Sequence, residues 1–124
     1  MIIKIDFNSN EAIYIQLRNQ IIQEIANCNI KEGDSLPSVR QLASLLDINM
    51  HTVNKAYNLL KEEGYIKLDR RRGAVISVNQ DKERLLFESE RMLRILIAKS
   101  RCKNITSDDL HALIDRIFDD YKTY

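Results

Sequence analysis

Residues 38–63, SVRQLASLLDINMHTVNKAYNLLKEE, place Met50, His51, Thr52, Asn54, Lys55 and Asn58 along or near one edge of a helical repeat, opposite the apolar positions Val53, Ala56, Tyr57 and Leu60. Farther on, Arg70, Arg71 and Arg72 stand in a row ahead of Gly73. Adjacent guanidiniums repel one another and gain nothing from a core, whereas beside a phosphate backbone each makes a charge-assisted contact. The chemistry in view is therefore recognition of DNA, and catalysis has no visible apparatus. His51 and His111 are the only histidines and have no carboxylate or cysteine at ligand spacing, so no metal site is expected. Cys28 and Cys102 lie far apart and read as two free thiols. No glycine-rich phosphate loop, GxSxG or HExxH occurs, so neither an enzyme nor a cofactor is expected.

The elements that must hold these side chains are legible in the same stretch. Ser38 with Gln41 forms a capping box, and Val39, Leu42, Ala43 and Leu46 make the apolar stripe of a short helix. Asp47, Ile48 and Asn49 interrupt it; Asn49 can cap a second helix starting at Met50, with Ile48 and Val53 as a hydrophobic staple, and Gly64 ends that helix. Two helices around a three-residue turn predict a helix-turn-helix. The β-rich runs 65–68 and 74–78 flank the turn 69–73 and predict a hairpin with a basic tip. Upstream, Tyr14, Leu17, Ile21 and Ile25 predict a helix over 11–27, capped from Asn8, Ser9 or Asn10, and residues 29–37 read as a loop. Three helices followed by a hairpin is a winged helix-turn-helix.

Composition sets looser bounds. The 124 residues are 44% apolar and 30% charged, with one proline and three glycines, which suits a mainly α protein with a small β-hairpin. The formal net charge is only +1, yet the segment 40–72 carries seven basic and four acidic residues, so the basic excess sits on the motif. No apolar run is long enough to span a bilayer and the start, MIIKIDFNSNEA, turns polar too early for a signal peptide, so the expectation is a cytoplasmic protein without a membrane partner.

The segments IYIQLRNQIIQEI, GDSLPSVRQLASLLDINMHTVNKAYNLLKEEGYI and RRRGAVISV together resemble the DNA-binding domain of GntR-type bacterial transcription regulators, over about residues 13–78. The small size and the phrase INMHTVNKAYNLL look most like the YtrA-like subfamily. The resemblance implies double-stranded DNA as partner. It puts Arg40 near the backbone or a base, places Asn49, His51 and Thr52 at the turn and the start of the recognition helix, and sets Arg70–Gly73 at the wing tip. Ser38 and Asn49 serve as caps first, with any DNA contact additional. Met50 either packs inward or lies against a thymine methyl. Many relatives have arginines where this chain has Met50 and Asn54, which makes Asn54, with its bidentate match to adenine, or Lys55 the better base reader. Kinship also implies a repressor of a neighbouring transporter operon.

Domain boundaries are expected at 1–79 for the winged helix-turn-helix and 80–124 for a helical tail. After a short hinge at 79–81 the tail reads as two helices. The first carries Leu85, Leu86, Met92, Leu93, Leu96 and Ile97; the second, capped by Thr106 and Asp109, carries Leu110, Leu113, Ile114, Ile117, Phe118 and Tyr121. Two helices alone cannot bury such faces. The expectation is a C-terminal two-helix dimerisation hairpin and a homodimer, the other possibility being that the tail folds back on the winged domain. No constellation specifies a small-molecule effector. The competing function is a winged-helix protein-interaction module without sequence-specific DNA binding.

Overall fold

Leu17 and Ile21 are wholly shielded from solvent on one side of α1 (Ile13–Ala26), where they meet Leu42 and Ala43 of α2 (Val39–Leu46) and Val53, Ala56, Tyr57 and Leu60 of α3 (Met50–Glu62) in one core. The computed structural model describes residues 1–121. Ile66 of β1 (Ile66–Asp69) and Ala74 and Ile76 of β2 (Gly73–Ile76) close the same core. Each fully buried aliphatic side chain of this kind contributes about 1.5 to 3 kcal/mol relative to exposure, so the three helices and hairpin hold together chiefly by apolar burial.

Local signals set the helix ends. The Ser38 hydroxyl accepts from the Gln41 N–H at 3.1 Å while the Gln41 side chain accepts from the Ser38 N–H at 3.0 Å, so the capping box is complete. Asn49 caps α3 by accepting from the His51 N–H at 2.7 Å. Between them Asp47 takes a left-handed conformation, φ 54°, which lets the chain reverse in three residues. Gly64 follows α3 with φ 85°, its N–H bonded to the Lys61 carbonyl and that of Tyr65 to the Leu60 carbonyl, a Schellman stop. The positive φ favours glycine, and a Cβ here would lie 1.9 Å from the Asn79 side-chain nitrogen, so that side chain would also have to move.

Two expectations need correction. α1 begins at Ile13 with Ala12 as an uncapped N-terminus, not at residue 11 under an asparagine or serine cap. The upstream polar groups are spent on turns instead, Asp6 accepting from the Asn8 N–H and Ser9 from the Glu11 N–H. No side chain caps α1; the buried Gln16 instead accepts from the Asp6 N–H and donates to the Asp6 and Glu11 carbonyls, fastening the N-terminal arm along α1. The segment 29–37 is a loop, as expected, and it also borders the hairpin. Ser35 bridges Val75, the Leu36 N–H donates to the Ala74 carbonyl, and the Ile76 N–H donates to the Asp34 carbonyl, so the loop lies against the open edge of β2 through a single bridge. The hairpin register, Asp69 opposite Gly73, leaves only Arg70, Arg71 and Arg72 in the turn; β1 is shifted by one residue from the expected 65–68, and β2 starts one residue earlier and ends two earlier than the expected 74–78.

Tyr57 links the core to the motif. Its hydroxyl donates to the Pro37 carbonyl at 2.7 Å, just ahead of the Ser38 cap, and burial pushes its pKa up. Tyr57→Phe keeps the ring and removes the bond, leaving the carbonyl short of a donor. It should lower stability by about 1 to 2 kcal/mol in urea unfolding with an unchanged m-value; no loss means the bond does not hold α2 in place.

The chain divides into two compact units, Met1–Asn79 and Gln80–Tyr124. The second contains α4 (Lys82–Cys102) and α5 (Ser107–Asp119). Asp81, expected in a hinge, caps α4 by accepting from the Arg84 N–H, and Thr106 with Asp109 completes a capping box on α5. Tyr121, expected on the last helix, lies beyond its end. Among the described residues of this unit only Ser100 is buried, at 4% exposure, its hydroxyl donating to the Leu96 carbonyl. Leu85, Leu86, Met92, Leu93, Leu96, Ile97, Leu113, Ile114, Ile117 and Phe118 are all exposed, and Leu110 is half-buried.

Candidate nucleic-acid interface

The stripe that anchors α3 decides what its other side offers. With Val53, Ala56, Tyr57 and Leu60 committed inward, Met50, His51, Asn54, Lys55 and Asn58 are exposed and Thr52 is half-buried on the first turn. Asn49, Met50, His51 and Asn54 meet Val39 in a shallow depression where the N-terminal ends of α2 and α3 converge. Helix N-termini present unpaired backbone N–H groups and a positive dipole end, so two of them together form a seat for phosphate oxygens. Ser38 and Arg40, both exposed, stand at the same end of α2. Met50 is thus neither core nor fully free; its thioether forms part of the rim.

A second groove runs between α1 and α3, lined by Tyr14, Arg18, His51, Asn54, Lys55 and Asn58 among others. Arg18 is committed within it, its Nη1 2.6 Å from the Glu63 carboxylate in a largely shielded pair that ties α1 to the end of α3. Sequence reading missed this participation of α1. Tyr14 was placed in the apolar stripe, and nothing in local spacing relates position 14 to the recognition helix.

The wing tip is built around Asp69. Its carboxylate accepts from the Arg71 N–H at 2.8 Å and the Arg72 N–H at 3.1 Å, and these two bonds hold it below the usual carboxylate range. A carboxyl with a lowered folded-state pKa supports the fold while ionised, so this contribution is present above the ordinary range and is lost as pH falls through the lowered value. The Arg72 guanidinium turns back to donate to the Gly33 carbonyl. Among the described residues, no hydrogen bond or ion pair engages the guanidiniums of Arg40, Arg70 and Arg71. The basic tip is therefore a rigid turn with two guanidiniums presented outward and one braced against the neighbouring segment.

Among the described residues no group of three or more histidine, cysteine or acidic side chains could hold a metal ion, and no helix is long and apolar enough to cross a membrane. The geometry suits sequence reading by hydrogen bonds from Asn54 or His51, flanked by charge.

Known proteins are similar to this chain in sequence and in fold. The profile described as "Bacterial regulatory proteins, gntR family" matches residues 11–76. The chain is 36% identical over 123 residues to the "HTH-type transcriptional repressor YtrA" of Bacillus subtilis (strain 168), covering 97% of this chain and 95% of that protein. It is similar to the solved structure "YtrA from Sulfolobus acidocaldarius, a GntR-family transcription factor", at 42% identity, TM-score 0.59 and coverage of 95% and 97% of the two chains. A "Transcriptional Antiterminator from Listeria monocytogenes EGD-e" superposes with TM-score 0.84 at 26% identity, covering 94% of this chain and 90% of that one.

Proposed function

Because this chain belongs to the GntR family of bacterial regulatory proteins, and is a DNA-binding transcription regulator rather than an enzyme, we propose that it acts in the cytoplasm as a homodimeric repressor on an inverted-repeat operator. The observation that carries the dimer is the tail, in which α4 and α5 bury no apolar side chain among the described residues. The large aliphatic and aromatic side chains left in water on these two helices make a face that a second copy of the same hairpin covers at no cost in new sequence. Leu110, half-buried, lines the groove between α4 and α5 with Leu93 and Ile114, and Tyr121, also half-buried, follows α5.

A two-fold axis through the tail sets two recognition helices into successive major grooves, about one helical turn or roughly 34 Å apart. In each half-site α3 enters the groove with Asn54 and His51 toward base edges. Asn49, Thr52, Ser38 and Arg40 face phosphates at the convergent helix ends, Met50 lies along the groove wall, and Arg70, Arg71, Arg72 and Gly73 form the wing that follows the adjoining backbone. Repression follows where such a dimer overlaps a promoter, and the name of the Bacillus subtilis relative supports that sign.

Selecting bound duplexes from a random pool, with sedimentation of the complex, tests the reading. It expects a palindromic consensus bound by two chains, and a consensus without two-fold symmetry overturns it. Arg71→Ala should weaken binding to all sequences alike and reduce the slope of log affinity against log salt by about one unit for each phosphate it no longer neutralises. An unchanged slope removes the wing from the backbone.

A further inference from the structure

The Lys55 ammonium does not project straight out from α3. It lies over the ring of Tyr14, 4.1 Å from the centroid, across the groove between α1 and α3. The other cation lining that groove, Arg18, is paired with Glu63, whereas among the described residues Lys55 has no carboxylate partner. An aromatic face attracts an ammonium through its quadrupole and covers only one side of it, so the outward N–H bonds stay available to an oxygen. A lysine stem has many rotamers, and fixing it before DNA arrives removes part of the ordering cost of the contact.

We infer that Tyr14 is a positioning residue, whose ring draws the Lys55 ammonium toward α1 so that it meets a phosphate oxygen of the strand on that side instead of a base edge. The inference rests on the α3 edge being the DNA-facing surface, and it divides the work of neighbours. Asn54 lines both the α2–α3 depression and the α1–α3 groove and stays free to address a base, while Lys55 lines only the second. The consequence is that Lys55 adds affinity without adding sequence preference.

The test uses the full chain, a duplex recovered by selection and an unrelated duplex of equal length, each titrated at several salt concentrations. Tyr14→Leu should weaken binding to both duplexes by about two- to five-fold per protomer, and Tyr14→Phe, which keeps the ring, should stay within about two-fold of the parent. Lys55→Met should weaken both duplexes equally and lower the salt slope. In the Lys55→Met background Tyr14→Leu should add no further loss. An undiminished Tyr14→Leu loss in that background makes the ring mere packing and overturns the proposal. So does a Lys55→Met loss confined to the selected duplex, which assigns Lys55 to a base, or no Lys55→Met effect at all. The DNA-facing role of the edge is judged separately by Asn54→Ala, so failure of the Tyr14 role is distinguishable from failure of the reading it rests on.

Discussion

Leu93→Asp or Ile114→Asp should convert the protein to a monomer that sediments as one chain and binds its operator at least about 100-fold more weakly, because joining two modules raises avidity by roughly 10² to 10⁴ with no change in either binding surface. Leu93 and Ile114 are 42% and 41% exposed in the single chain and line the groove between α4 and α5, so neither aspartate reaches the core of the winged unit. The cost appears when two copies meet and each carboxylate must leave water without a partner. Cooperative unfolding of the winged unit should change little, since α1, α2 and α3 keep their own core. A variant that remains dimeric and retains affinity removes the tail from the interface.

Asn54→Ala should abolish discrimination at one base pair in each half-site. A bidentate amide–adenine pair is worth about 1 to 3 kcal/mol, and a symmetric dimer loses two, so affinity for the selected operator should fall by about 2 to 6 kcal/mol, roughly 30-fold to 10⁴-fold. Binding to unrelated duplexes should barely change, because phosphate contacts supply that term. Competition between the operator and a set of single-base variants provides the measurement. A uniform loss across all of them assigns Asn54 to the backbone and leaves the base reading to His51 or another residue of the first turn. Since Asn54 is exposed and belongs to no buried cluster, the substitution has little reach into stability.

The helix-turn-helix was legible because its determinants are local. Ser38 and Gln41 are three residues apart, Asn49 and His51 two, and the inward positions of α3 recur every three or four. Short-range spacing of this kind survives in the chain before it folds, which is why caps, stripes and the Gly64 stop were readable together with the family resemblance. Departures came where a local signal had competition. Asn8 and Ser9 are good caps by type, yet Gln16 reaches back to the carbonyls of Asp6 and Glu11 and leaves the asparagine and serine outside the helix. The segment around Ser35 has turn composition and is a loop, yet its bridge to Val75 depends on the open edge of β2, which no local spacing announces.

By itself, then, the order of residues determined which stretches coil, where they stop, which faces seek burial and where positive charge collects. Tertiary structure alone decided that Arg72 braces Gly33, 39 positions away, while Arg70 and Arg71 stay outward, that Arg18 is consumed by Glu63, and that Tyr14 stands under Lys55. Periodicity reports the direction of a side chain relative to its own helix axis. Which distant group it meets depends on how helices pack, and that is set by the shape of the whole core.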